Sequence, residues 1–128
     1  MLIERLRAQP LFAGLDDETL AQLAAETTEL EAPAGRVLIE FGAPGSGLFV
    51  LEEGKAVVDA PDAHVELAPG AVFGERALLG ENIPRGARVR AQTDVRCLAI
   101  ARPAMDKLCA EQPLINERLL AISSYDPT

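Results

Sequence analysis

Between about residue 29 and residue 101, short apolar segments alternate with turn residues, and this alternation leaves few folds open to the chain. Within 37–41, apolar side chains recur at every second position, which is the period of a half-buried β-strand. The glycines and proline of 42–47 then predict a tight loop. Further strands are expected at 48–51, 56–58, 64–67, 87–92 and 96–101.

Turn signals recur about every 8 to 12 residues along this region, and together with about seven short strands they favour an antiparallel barrel or sandwich over a parallel sheet. The residues Glu52-Glu53-Gly54-Lys55 separate two of the predicted strands. They predict a hairpin whose glycine supplies the positive φ that the turn requires.

Helices are predicted on both sides of the strands. Before them, Asp16 can cap a helix in which Leu15 packs on Leu20 one turn later, until the β-branched pair Thr27-Thr28 weakens the pattern. After the last strand, one short helix is expected at 103–112 because proline suits its first position. A second is expected from 113 to about 123, and it has more apolar residues than one core-facing side needs.

A chain of 128 residues fits one domain, which we expect to span 1–128. Its expected parts are a helical segment at 1–28, the strands at 29–101 and closing helices at 102–124. No apolar run approaches the roughly 20 residues that cross a bilayer, and the N-terminus lacks the apolar centre of a signal peptide. We therefore expect a cytoplasmic protein that does not insert into membranes.

The net charge of -8 opposes binding to phosphate backbones, so this chain alone is not expected to bind nucleic acid. Cys97 and Cys109 are the only cysteines and His64 is the only histidine, which leaves no disulfide framework and no zinc site at the usual spacing. Both thiols are expected to be reduced and half-buried. No phosphate-binding Walker loop or nucleophile motif occurs, and His64 has no identifiable partner, so no catalytic residue and no enzymatic activity is predicted.

The segment 73–87 has the residues from which a nucleotide site can be built. Gly74 lets the backbone approach a ligand, and 75–79 has the composition of one helical turn whose free amides suit an anion. Arg85 can bring a guanidinium to the same place and bind two phosphate oxygens at once. Glu75 only accepts hydrogen bonds, so it suits a ribose hydroxyl. The alternative is an exposed turn with a surface ion pair worth about 0 to 1 kcal/mol.

The sequence Phe73-Gly74-Glu75, followed by Ala77-Leu78-Leu79, Pro84-Arg85 and Ala87, resembles the phosphate-binding cassette of cyclic nucleotide-binding domains, a family that includes the catabolite activator protein and cyclic-nucleotide-dependent kinases. The resemblance extends over nearly the whole chain, including Gly42, Gly54, Pro69-Gly70 and the strand 98–100. It implies a mainly β fold, an eight-stranded antiparallel β-roll (a jelly-roll-like double-stranded β-helix), with flanking N- and C-terminal α-helices.

In that family, the glutamate that matches Glu75 binds the ribose hydroxyl and the arginine that matches Arg85 binds the cyclic phosphate, assisted by nearby backbone amides. The resemblance therefore implies a ligand-binding set of Phe73, Gly74, Glu75, Arg76, Ala77, Arg85, Gly86 and Ala87. The ligand is expected to be cAMP rather than cGMP, because Gly86 offers no hydroxyl. No other cofactor and no metal is expected.

The implied function is a non-enzymatic sensor that passes ligand occupancy to an effector protein or domain of unknown identity. Leu114, Leu119 and Ile122 are candidates for an apolar lid over the base, and ordinary core packing is the alternative for each. A homodimer is possible. Arg88 and Arg90 are expected to point away from the interior if their neighbours in the strand face inward. The alternative is that Arg88 faces the pocket, in which case the choice between cAMP and cGMP is open. The alternative function is a β-roll interaction scaffold that binds no cyclic nucleotide.

Overall fold

The computed structural model describes residues 2–39, 47–60, 63–73 and 88–122. Helix α1 (Leu2–Arg7), a 3-10 helix (Pro10–Phe12) and α2 (Asp17–Ala25) precede the strands, and α3 (Arg102–Glu111) and α4 (Pro113–Ile122) follow them. The strands are β1 (Thr27–Ala32), β2 (Val37–Ile39), β3 (Gly47–Glu53), β4 (Ala56–Ala60), β5 (Ala63–Leu67), β6 (Val72–Phe73), β7 (Arg88–Ala91) and β8 (Val95–Ala101).

The eight described strands form two antiparallel sheets of four strands each. Sheet 1 has the order β1-β8-β3-β6 and sheet 2 the order β2-β7-β4-β5. Their arrangement confirms the expected mainly β fold, an eight-stranded antiparallel roll with flanking helices. The sequence pattern did not separate β1 and β6 as strands of their own. β1 lies where the strand region was expected to begin, and β6 has only two residues.

Sheet 1 is covered on both faces, so the molecule has two apolar cores. On β8, Leu98 and Ile100 pack with the helices, whereas Val95 and Cys97 pack in the space between the two sheets. This alternation follows from the two-residue period of a strand. The layers are therefore helices, sheet 1, interior and sheet 2.

The prediction of a hairpin around Gly54 is wrong, because β3 and β4 do not pair with each other. The predicted turn with a positive φ at Gly54 is confirmed. Gly54 has φ 87°, and a Cβ atom there would lie 2.2 Å from the carbonyl oxygen of Asp94. However, β3 pairs with β6 and β8, while β4 pairs with β5 and β7. The turn carries the chain from sheet 1 to sheet 2. A turn motif identifies the bend but not the partner of the strand that leaves it.

The start of α2 confirms the predicted cap. A carboxylate oxygen of Asp16 accepts a hydrogen bond of 2.8 Å from the backbone N–H of Thr19. The end of α2 differs slightly from expectation, because Thr27 and Thr28 already belong to β1. β-Branched residues favour an extended backbone, which explains why the strand begins at this pair.

The two C-terminal helices form where they are expected. Ile115 and Leu119 of α4 are fully buried in the helical core. Leu119 therefore packs in the core, which is the alternative given above to a role in an apolar lid. Leu114 is 50% exposed. The side chain of Ile122 lies outside the described part of the chain.

An ion-pair cluster attaches α1 to sheet 1. The Arg5 Nε donates to a carboxylate oxygen of Glu52 at 2.9 Å, a second guanidinium nitrogen binds the other oxygen, and a third binds Glu29. The side chain of Glu52 is only 10% exposed. Hydrogen bonds from Arg5 lower the pKa of Glu29, and Glu52 and Glu29 raise the pKa of Arg5.

We expect Arg5→Met to lower the free energy of unfolding by about 1–3 kcal/mol, because it leaves the nearly buried carboxylate of Glu52 without its cation. The matched control is Arg7→Met. Arg7 pairs with Asp17, and both side chains are largely exposed, so the loss there should stay below about 0.5 kcal/mol. Urea denaturation of the variants measures both losses, and equal losses would contradict a special role for Arg5.

Candidate functional site

The candidate segment connects two strand ends that belong to different sheets. The chain leaves sheet 1 at Phe73, which lies opposite Phe49, and enters sheet 2 at Arg88, which lies opposite Asp59. The residues between them lie outside the described part of the chain. Seven of the eight predicted ligand-binding residues are among them: Gly74, Glu75, Arg76, Ala77, Arg85, Gly86 and Ala87. The structure places Phe73, and the ligand-binding roles of all eight stay predictions.

Other connections between strands leave from the same end of the roll. The last residue of β2, Ile39, lies opposite Val89, and the first residue of β3, Gly47, lies opposite Ala101. The β4–β5 hairpin also turns here, beyond the pair Ala60 and Ala63. We call this end, where β2, β4 and β6 finish and β3, β5 and β7 begin, the connection end.

An aromatic pair marks the place where the candidate segment departs. The rings of Phe49 and Phe73 stack with their centroids 5.2 Å apart and an interplanar angle of 8°. Phe73 is 1% exposed and Phe49 is partly buried. The stack ties β6, a strand of two residues, to β3 and fixes the point from which the chain continues to Gly74.

Sequence reasoning singled out Phe73 and missed Phe49. The two-residue period within β3 places Phe49 on the same face as Leu51, and both belong to the core between the sheets. A phenylalanine in an apolar run carries no signal beyond burial, so its stacking partner emerges only from the pairing of β3 with β6.

The interior near the connection end is apolar. Val58 and Val89 of sheet 2 are buried there, whereas Val65 and Leu38 are only partly buried against the same core. Partly buried apolar walls suit a flat, weakly polar group such as a purine base. A charged ligand group would need partners from another part of the chain.

The outer face of sheet 2 carries charge, as the strand period predicted. Val89 and Ala91 are buried, and Arg90 on the opposite face donates through Nε to Asp59 at 3.2 Å. The same carboxylate lies 2.8 Å from the Nδ1 of His64. The expectation that His64 has no partner is therefore wrong, because the β4–β5 hairpin places Asp59 directly opposite it.

The cysteines show no sign of activation. Burial raises the pKa of Cys97 to about 11 and also raises the pKa of Cys109, so both thiols are protonated near neutral pH. Both are free, Cys97 fully buried and Cys109 partly buried. Over the described ranges, no three His, Cys, Asp or Glu side chains lie close enough to hold a metal ion together.

None of the helices in the described ranges has the length and apolar character needed to cross a lipid bilayer.

Comparison with known proteins adds the identity of the fold. Residues 29–112 match the model of a family described as the cyclic nucleotide-binding domain. A cyclic nucleotide-gated potassium channel of Mesorhizobium japonicum is 38% identical over 110 residues, which cover 86% of this chain and 30% of the channel. The chain thus spans less than a third of that relative.

Two solved structures have closely similar folds. The regulatory domain of Toxoplasma gondii PKA, crystallised with cAMP, has a TM-score of 0.85 at 23% identity, with 98% of this chain and 49% of that chain covered. The regulatory subunit of a cAMP-independent protein kinase A from Trypanosoma brucei has a TM-score of 0.85 at 26% identity, with 99% and 47% covered. The family match, which includes most of the strand region and the segment 74–87, settles the family. This chain belongs to the cyclic nucleotide-binding domain family.

Proposed function

We propose that this domain binds a cyclic nucleotide between its two sheets at the connection end, with cAMP favoured over cGMP, and has no enzymatic activity of its own. One observation carries the proposal. The segment 74–87, which contains Glu75 and Arg85, connects the ends of β6 and β7 beside an apolar interior. That interior suits the base, and the segment brings the polar groups that the interior lacks.

Each part of the ligand has a proposed partner. Arg85 binds the singly charged cyclic phosphate together with backbone amides near Gly74, Gly86 and Ala87. Glu75 accepts a hydrogen bond from the ribose hydroxyl. Gly86 offers no side-chain hydroxyl to a guanine base, which favours cAMP. Phe73 holds the start of the segment through its stack with Phe49.

We propose a regulatory role in the cytosol, with ligand occupancy passed to an effector. In the channel relative, the matched region is less than a third of the protein, so the domain there accompanies other parts of a longer chain. We propose the same for this domain. The effector is either a further part of the same protein or a separate partner.

A second candidate function is that of an interaction scaffold, in which the β-roll binds partner proteins but no cyclic nucleotide. The similar fold of a kinase regulatory subunit that is cAMP-independent supports this alternative. Glu75 and Arg85 speak against it, because a pure scaffold has no need for a carboxylate and a guanidinium at the two positions that match the family's ligand contacts.

Thermal unfolding with and without nucleotide tests the proposal. A ligand that binds only the folded state at about 100 times its Kd adds about 2.7 kcal/mol of stability, which corresponds to a melting temperature higher by on the order of 10 °C for a domain of this size. We expect this shift with cAMP, a smaller shift with cGMP and little shift with 5'-AMP, whose phosphate carries a second charge. No shift with millimolar cAMP or cGMP would favour the scaffold.

A further inference from the structure

Arg118 of α4 makes contacts that neither the family resemblance nor the proposed function uses. Its Nη1 donates to the backbone carbonyls of Leu11 at 2.9 Å and Ala13 at 2.8 Å, and it lies 3.5 Å from the carbonyl of Pro10. The last carbonyls of a short helix lack partners within the helix. One guanidinium nitrogen therefore caps the C-terminal end of the 3-10 helix from a position 107 residues away in sequence.

The same two elements also share a core. Leu11 and Phe12 of the 3-10 helix are buried in one cluster with Ile115 and Leu119 of α4. The apolar contact holds the 3-10 helix on α4. The hydrogen bonds of Arg118 lie beside this contact, and because hydrogen bonds are directional, they also fix the orientation of the 3-10 helix.

The 3-10 helix in turn lies beside β6 and the turn that precedes it. Leu11 and Phe12 share their core with Val72 of β6. The ring of Pro10 faces Gly70, with Cγ and Cδ 3.8 Å from the position that a Cβ atom would take there. Gly70 has φ 96°, and its N–H donates to the carbonyl of Leu51 at 2.8 Å. The N–H of Leu51 donates to the carbonyl of Ala71 at 2.9 Å. This turn sets β6 against β3, three residues before Phe73.

We infer that Arg118 is a positioning residue for the proposed ligand site: it holds the 3-10 helix against the Gly70 turn and so fixes the strand end from which the segment 74–87 departs. The inference rests on the proposed function for its effect on ligand binding. Because β6 has only two residues, its position depends on the Gly70 turn and on the Phe49–Phe73 stack. Arg118 acts on the first of these supports.

The affinity test compares three variants by calorimetric titration with cAMP at a temperature where all of them are fully folded. Arg118→Met should weaken binding by about 3- to 30-fold although Arg118 is proposed to touch no ligand. Arg118→Lys should recover part of the loss, because an ammonium also donates to carbonyls but lacks the planar geometry of a guanidinium. Arg96→Met is the control. Arg96 belongs to β8 and pairs with Glu31 of β1 at 3.1 Å instead, so affinity should be unchanged.

Amide hydrogen exchange tests the positioning without any ligand. In Arg118→Met, the amides of Leu51, Gly70 and Ala71 should exchange faster than in the wild type, while the amides of β4 and β7 should not. Faster exchange confined to the turn, with weaker binding, supports the inference. Unchanged exchange at the turn, or an equal increase in both sheets, overturns it. If the wild type binds no cyclic nucleotide, the proposed function fails, and exchange still decides the role of Arg118.

Discussion

Arg85→Ala is expected to lower the affinity for cAMP by a factor of about 30 to several thousand, equivalent to roughly 2–5 kcal/mol. Removing the guanidinium leaves a ring phosphate with backbone amides as its only donors among the proposed contacts. Arg85→Lys should lie between the wild type and the alanine variant, since it keeps the charge and loses the two-pronged hydrogen bonding. Calorimetric titration measures all three affinities.

A matched control separates this loss from a general effect of removing an arginine. Arg102 lies at the start of α3, where its Nε is 3.6 Å from a carboxylate oxygen of Asp106 within the same helix. Arg102→Ala should bind cAMP as the wild type does. Equal affinities for Arg85→Ala and the wild type would refute the phosphate assignment, and so would an equal loss in both variants.

Leu119→Ala is expected to lower the free energy of unfolding by about 2–5 kcal/mol, because Leu119 is fully buried and its truncation leaves a cavity in the helical core. Leu114 is in the same helix and is 50% exposed, so Leu114→Ala should change stability by less than about 0.5 kcal/mol. Chemical denaturation monitored by circular dichroism measures both values.

The same pair of variants distinguishes core packing from a lid. If the apolar side of α4 serves mainly to cover a ligand, Leu119→Ala will weaken nucleotide binding and leave the stability of the free protein nearly unchanged. A loss of stability below about 1 kcal/mol would contradict the core assignment.

Local signals predicted the elements well. The two-residue period located β2, and short apolar segments between turn residues located β3 to β5, β7 and β8, although β7 is described only from Arg88 onward. The Asp16 cap located the start of α2. These features depend on residues that are close in sequence, where backbone preference and side-chain spacing act directly. The family resemblance supplied the architecture that propensity alone left open.

Contacts between distant segments could not be read in the same way. The partner of the strand after Gly54 was mispredicted because the turn has the same chemistry whether the chain folds back or crosses to a second sheet. Arg5 finds Glu52, and Arg118 finds the carbonyl of Leu11, across 47 and 107 residues. An arginine in an amphipathic segment gives no sign of which distant acceptor it will meet.

For the ligand site, the sequence predicted the residue types and the structure describes their supports. Phe73 is placed and stacked on Phe49, whereas Glu75 and Arg85 stay predictions. The carboxylate and guanidinium were predicted as ligand contacts because their chemistry suits hydroxyl and phosphate groups and because their positions match the cassette of the family. The aromatic stack was missed because the sequence does not show which hydrophobic residues of two strands will contact each other until the pairing of the strands is known.

The two cores lie back to back, with sheet 1 as their common wall. Leu98 and Ile100 press on it from the helical side, and Val95 and Cys97 from the other. Close-packed interiors transmit displacement because they contain little free volume to absorb it. If a nucleotide binds between the sheets as proposed, a bend that it produces in sheet 1 would therefore displace the helices on the other side. An output module attached to those helices would then respond to the ligand through the thickness of one sheet, without touching the ligand.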